Sequence, residues 1–179
     1  MKSVSITIPC RNEEHYIAKC LQSIVDCSFD KVLLSVFVCD GMSNDNTKAI
    51  IREFTEKHAF IHLLENTRQT TPFALNLGLK ANDADVKIIL GAHAEIYPDY
   101  IKQCIEAFNF DDKIGCVGGI IENVYENETA ETIGKAMSSG FGVGNAHFRT
   151  GQMDGYVDTV AFGAYKKDVF DKIGYFDEE

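Results

Sequence analysis

The sequence predicts an α/β fold built on a mainly parallel sheet with helices on both faces. Three observations predict it. Short β-prone runs alternate with segments whose apolar residues fall at helical spacing, the order expected of βαβ units. The second of those runs, VLLSVFVC at 32–39, is almost continuously apolar, as a strand covered on both faces must be. Turn-forming polar residues follow each of the first four runs, where a parallel sheet gathers its ligand-binding edge.

The elements follow in order. Val4, Ile6 and Ile8 alternate up to Pro9, which reads as a short strand. Residues 13–26 carry Ile17, Leu21, Ile24 and Val25 at helical spacing. After the strand at 32–39, residues 47–58 place Ile50, Ile51 and Phe54 on one helix face. FIHLLE at 60–65 reads as a third strand and 73–81 as a short helix. VKIIL at 86–90 reads as a fourth strand, followed by a loop and a helix beginning near Pro98, a residue suited to a first turn. Beyond Gly115 the rhythm loosens. There 116–121 reads as strand, 129–138 as helix and 157–165 as strand, with the glycine-rich GFGVG at 140–144 as a loop. No repeat, low-complexity tract or linker divides the 179 residues, so one domain is expected.

Composition limits the function. The 27 acidic and 17 basic residues give a net charge of −10, which argues against nucleic acid as a partner. It leaves room for a small phosphate-binding pocket, which needs only a few donors or one metal ion. With 45% hydrophobic and 25% charged residues the chain is expected to be globular. No apolar run approaches the roughly 18–20 residues of a membrane helix. The opening MKSVSITIPC runs directly into a strand without the apolar core of a secretion signal. Six cysteines without a C-x-x-C pair read as reduced core thiols, and a cytoplasmic location is expected.

The residues after the strands carry the chemistry. Arg11, Asn12, Glu13 and Glu14 follow the first, and Asp40, Gly41, Ser43, Asn44 and Asp45 follow the second. Asn66, Thr67 and Arg68 follow the third, and Gly91, Ala92, His93 and Glu95 the fourth. Together they suit a ligand with hydrogen-bonding rings and phosphate, such as a nucleotide. Each also has a plainer reading. Asp45 or Asn46 can cap the helix at Thr47. Glu13 and Glu14 can complement a helix dipole. Arg68 can be a solvated arginine and His93 a loop histidine. The glycines at 140–144 do not form a dinucleotide fingerprint, because Asn145 replaces the third glycine and no strand precedes them. That argues against an oxidoreductase.

In the order VSITIPCRNEE, VFVCDGMSNDNT and NTRQTTPFALNLGLKAN, the chain resembles the nucleotide-binding half of the family 2 glycosyltransferases. Those are inverting enzymes of the GT-A fold, a Rossmann-like parallel sheet flanked by helices. GAHAEIYPDYI, VGG, SSGFGVGNAHFR and VDTVAFGAYKKDVFDKIGYFDEE are similar to the succinoglycan-biosynthesis-type branch, so the likeness runs from Val4 to Glu178. It implies a nucleotide-sugar-binding half at 1–97 and a partial acceptor-side half at 98–179. The implied reaction transfers a sugar from a UDP-linked donor to a saccharide or lipid-linked acceptor in cell-surface polysaccharide synthesis. The longer protein would then be able to associate with a membrane.

The resemblance implies roles residue by residue. Pro9, Arg11 and Glu13 line the base pocket, although many relatives have an aromatic residue at the position of Arg11. Asp40 accepts hydrogen bonds from the uracil or ribose, and Asn66 and Arg68 border the base, ribose or sugar. Gly91, Ala92 and His93 stand where the family carries an Asp-x-Asp motif that grips Mn2+ or Mg2+ on the diphosphate. His93 is then the metal ligand, and the branch's usual first aspartate is replaced by Gly91. Manganese accepts an imidazole more readily than magnesium does. The family's general base falls shortly after the segment matched by IGYFDEE. It is therefore expected beyond Glu179, and Asp177 and Glu178 are assigned no catalysis. On this reading residues 1–179 bind donor without turnover. The alternative is a non-catalytic nucleotide- or carbohydrate-binding module on the same fold.

Overall fold

In the computed structural model, which describes residues 2–28, 32–125, 127–137, 155–157 and 159–179, strand and helix alternate up to Phe110. The order is β1 (Lys2–Cys10), α1 (Ile17–Val25), β2 (Val32–Asp40), α2 (Thr47–Lys57), β3 (Ile61–Glu65), α3 (Thr71–Leu79), β4 (Val86–Ile89) and α4 (Tyr100–Phe110). There follow β5 (Cys116–Val117), α5 (Glu128–Met137), β6 (Ala164–Lys166) and α6 (Lys167–Ile173). They form one sheet in the order β3-β2-β1-β4-β6-β5. The first four are parallel, and β6 runs antiparallel to both β4 and β5. The α/β class and the mainly parallel sheet are as the sequence predicts.

Strand alternation builds two unlike layers. On one face Val4, Ile6 and Ile8 of β1, Val36 and Val38 of β2, and Val86 and Ile88 of β4 pack with Ile17, Leu21, Ile24, Ile51 and Ile101 from α1, α2 and α4. The other face of β1 carries Ser5 and Thr7, which alternation alone would leave to solvent, yet both are fully buried. α3 covers them. Its Gly78 lies so close that an added Cβ would sit 2.4 Å from Thr7 Cγ2. Small side chains on the strand and a glycine on the helix thus bring the two backbones together. Lys87 completes this layer. Its buried Nζ donates to the carbonyls of Leu79 and Asn82, each at 2.7 Å, and so satisfies the C-terminal end of α3. Burial holds the Lys87 pKa below the usual lysine value.

Several boundaries differ from the sequence reading. The helix expected at 13–26 begins at Ile17, because the Glu13 carbonyl accepts from Tyr16 N and Ile17 N in a preceding turn. Glu13 and Glu14 therefore lie outside the first helical turn, and the dipole reading of them falls. The helix expected at 73–81 starts earlier, at Thr71, with Pro72 in its opening turn. The strands expected at 116–121 and 157–165 shrink to Cys116–Val117 and Ala164–Lys166. Beyond Val117 the ladder stops where Gly118 meets Val160 side-on, leaving room for no side chain at 118. α6 was not expected, since a charged seven-residue segment shows too little periodicity; Phe170 anchors it. The loop expected at 140–144 lies outside the described residues.

None of the described helices is long and apolar enough to cross a membrane. All six cysteines are unpaired and five are buried. Burial pushes the Cys20 and Cys39 thiols up to about 12, so neither is a thiolate at neutral pH.

Candidate functional site

The strand order creates the site. β1, β2 and β3 step in one direction, and the chain then crosses back to lay β4 on the other side of β1. The carboxyl ends of β1 and β4 therefore flank a switch point, where open parallel sheets hold their ligands. A cavity of about 340 Å³ lies there, lined by Pro9, Arg11, Glu13, Asn66, Gly91, Ala92 and His93 among others. Seven of the nine residues to which the resemblance gives a site role thus share one cavity.

Asp40 lies beside it, fully buried at the end of β2 and followed by Gly41, which lines the cavity. Its two carboxylate oxygens have different surroundings. Oδ2 accepts from Ser43 N at 3.1 Å and lies 3.6 Å from Lys48 Nζ. Oδ1 is buried with no hydrogen-bond partner, and so is Oδ1 of Asn66 at the end of β3. The Asn66 amide group is committed elsewhere, donating to the Thr70 carbonyl at 3.0 Å. A buried unpartnered acceptor costs roughly 1–3 kcal/mol, so two of them on neighbouring strand ends call for a ligand that brings donors.

Hydrogen bonds stitch the loops after β1 and β2 into one rim. Asn12 N donates to Ser43 Oγ at 2.9 Å, Glu13 N to Thr47 Oγ1 at 2.8 Å and Glu14 N to Asp45 Oδ2 at 3.3 Å. In return Asn44 N donates to Asn12 Oδ1 and Asn46 N to Glu14 Oε2. Asp45 also accepts from Thr47 N, so it caps α2 and ties the loops together at once. Asn46, the other candidate cap, makes no side-chain cap bond. Asn12, Met42, Gln69 and Phe162 all have positive φ, between 50° and 60°. The first three follow β1, β2 and β3, and the Phe162 ring packs on Gly91. Left-handed non-glycine residues cost on the order of 1–3 kcal/mol each and cluster at functional sites.

At the β4 end His93 Nδ1 lies 3.6 Å from Glu13 Oε1, and Glu13 is the only carboxylate among the described lining residues. No group of three His, Cys, Asp or Glu residues able to hold a metal occurs among the described residues. Glu13 and His93 are a pair of donors. They fit a divalent cation only where a ligand's phosphate oxygens and water complete its shell. Glu95 is exposed and outside the cavity lining.

Arg68 is not among the residues that line the cavity. It is exposed, with its guanidinium 5.1 Å from the Phe73 ring centroid. The sequence reading missed Cys10, Gln69, Thr70, Thr71 and Ala74, which also line the cavity. The Thr-Pro pair at 71–72 was the available signal, since it marks the start of α3 and so the segment that closes the wall. A larger open groove of about 1110 Å³ runs along β3 and α3, lined by Phe37, His62, Leu64, Phe73 and Leu77. It lies away from the switch point. The one buried amide in it, Asn76, is satisfied by the chain's own tail through Phe176 N and O. Glu178 also lines this groove, which separates it from the smaller cavity.

The model of the family described as "Glycosyl transferase family 2" matches residues 5–174. The chain belongs to that family. A glucuronosyltransferase of Methanococcus voltae, which acts on a dolichyl N-acetyl-alpha-D-glucosaminyl phosphate, is 35% identical over 171 residues, covering 92% of this chain and 53% of its own. The succinoglycan biosynthesis protein ExoA of Rhizobium meliloti is 24% identical over 178 residues, covering 97% of this chain and 52% of its own. The chain thus spans about half the length of these relatives. S. aureus TarS, solved in complex with UDP-GlcNAc, shares the fold with a TM-score of 0.69 at 16% identity, over 99% of this chain and 49% of that one. Family membership and this GT-A neighbour agree with the resemblance read in the sequence.

Proposed function

We propose that the chain binds a UDP-linked sugar in the cavity at the switch point, as the donor half of an inverting glycosyltransferase. The observation that carries this is the pair of unpartnered acceptors, Asp40 Oδ1 and Asn66 Oδ1. Uracil and ribose present N–H and O–H donors, so a uridine seated over the ends of β2 and β3 relieves both. Pro9, Arg11 and Glu13 then form the wall on the β1 side. The diphosphate extends toward Gly91, Ala92 and His93 at the end of β4. The TarS complex with UDP-GlcNAc supports the choice of a uridine nucleotide.

In an inverting transfer an acceptor hydroxyl attacks the anomeric carbon as the bond to the diphosphate breaks, and its proton passes to a base. The described residues serve the donor side of that step. They hold the nucleotide and orient the sugar. Glu13 and His93 are the residues that would share a divalent cation with the diphosphate, and such a cation would neutralise charge on the leaving group. The base is assigned to none of the described residues. Residues 1–179 alone are therefore expected to bind donor without transfer, and UDP release that requires an acceptor would overturn this. The proposed acceptor is a saccharide or lipid-linked saccharide in cell-surface polysaccharide synthesis. Unpaired, mostly buried cysteines support a reducing compartment, so we propose the cytoplasm.

Isothermal calorimetry tests the reading. UDP is expected to bind at micromolar to millimolar concentration; no heat from UDP, GDP or dTDP at millimolar ligand would sink it. A second titration tests the cation. Mn2+ is expected to tighten UDP binding severalfold, and His93→Ala to remove that gain. If the variant keeps the gain, the assignment to His93 is wrong. Gly91, in place of an aspartate, favours the second reading, a binding module without catalysis. Sugar transfer by any protein that contains this chain would exclude it.

A further inference from the structure

The asymmetry of Asp40 points to a residue outside the cavity. Oδ2 faces Ser43 N and the Lys48 ammonium, while Oδ1 is bare. Lys48 stands in the first turn of α2 with its side chain 21% exposed, and it also holds Glu65 Oε1 at 3.0 Å. Glu65 itself is largely exposed, so that pair contributes little by itself. Asp40 is different, being wholly buried, and its charge needs a nearby cation. The turn at Met42, with φ of 59°, brings Ser43 N back onto the same oxygen.

We propose that Lys48 is a positioning residue for donor binding. Resting on the reading of the cavity as a nucleotide site, the proposal assigns Lys48 the task of fixing Oδ2 so that Oδ1 remains a charged acceptor aimed at the ligand. Lys48 does not line the cavity and acts through Asp40. A lysine kept merely for a surface ion pair with Glu65 would leave ligand binding unchanged when removed.

UDP titrations of folded variants, each checked by thermal unfolding, separate these roles. Lys48→Met is expected to weaken UDP binding about tenfold, the scale of one charge-assisted hydrogen bond. Lys48→Gln is expected to do the same, and Lys48→Arg to restore binding to within about threefold, since a guanidinium also reaches the carboxylate. Glu65→Gln is expected to change it less than about twofold, the scale of an exposed pair. In an Asp40→Asn background Lys48→Met is expected to add nothing, because the group it positions is gone. Wild-type affinity in Lys48→Met, failure of Lys48→Arg to restore it, a Glu65→Gln loss equal to that of Lys48→Met, or a full Lys48 effect without the Asp40 charge would each overturn the proposal. Absence of UDP binding by the unmodified chain would instead remove the cavity reading, and this inference with it.

Discussion

Asp40→Asn is expected to weaken UDP binding about 10–100-fold while leaving the thermal unfolding temperature close to that of the unmodified chain. The reason is directional. Ser43 N and Lys48 Nζ are both donors facing Oδ2, so an asparagine must turn its carbonyl oxygen toward them. Its NH2 group then occupies the place of Oδ1 and presents donors to a ligand that also brings donors. A lost charge-assisted hydrogen bond costs about 1.5–3 kcal/mol, which is the stated range in affinity. The fold is spared because the substitution removes a buried charge without changing volume, and Lys48 keeps Glu65. Asp40→Ala is expected to weaken UDP at least as much, and to cost stability besides, since it empties a packed site. Calorimetry and a melting curve on the same samples check both parts. Unchanged affinity in Asp40→Asn would mean that Oδ1 does not face the nucleotide.

Gly78→Val is expected to destabilise the fold by about 3 kcal/mol, the upper end for overpacking a close contact. Gly78→Ala makes the sharper comparison. In an ordinary helix interior that change is favourable by up to about 1 kcal/mol. Here the new Cβ would sit 2.4 Å from Thr7 Cγ2, 2.8 Å from its Oγ1 and 3.0 Å from its Cβ. All three obstacles are side-chain atoms of a buried β-branched residue, and rotation about its χ1 leaves Cβ in place. The clash outweighs the propensity, so the expected sign in urea unfolding is destabilising. Thr7→Ala should recover part of the loss, because it removes both closest atoms and an unpartnered buried hydroxyl. A stabilising Gly78→Ala would show that α3 can rise without penalty. Binding should follow stability, since α3 carries Thr71 and Ala74, which wall the cavity.

The parts of the fold legible in the sequence were those with a local signature. Alternation at Val4, Ile6 and Ile8 and the apolar run of β2 are properties of a few neighbouring residues, and strand ends follow from them. Because the switch point gathers strand ends, Arg11, Glu13, Asn66 and His93 could be grouped before any coordinates. What stayed hidden depends on pairs distant in the chain. The burial of Ser5 and Thr7 arises from the close approach of Gly78, 71 residues beyond Thr7. Arg68 stands only two residues beyond Asn66, yet its guanidinium lies over the Phe73 ring and outside the cavity lining. Lys48 carries no local signature, and its pairing with Asp40 arises only where the first turn of α2 meets the end of β2. The plainer readings also divide. Asp45 does satisfy the first amide of α2, whereas Glu13 and Glu14 precede α1 and lie outside its first turn.

The central claim is that the smaller cavity at the β1–β4 switch point, not the larger groove beside β3, receives the nucleotide. A crystal structure of the chain with UDP tests it most directly. The expected result is a uridine over the ends of β2 and β3, with a ligand N–H or O–H donor about 2.7–3.2 Å from Asp40 Oδ1. Well-defined UDP in the groove lined by Phe37, His62 and Leu77, with Asp40 Oδ1 still bare, would contradict it.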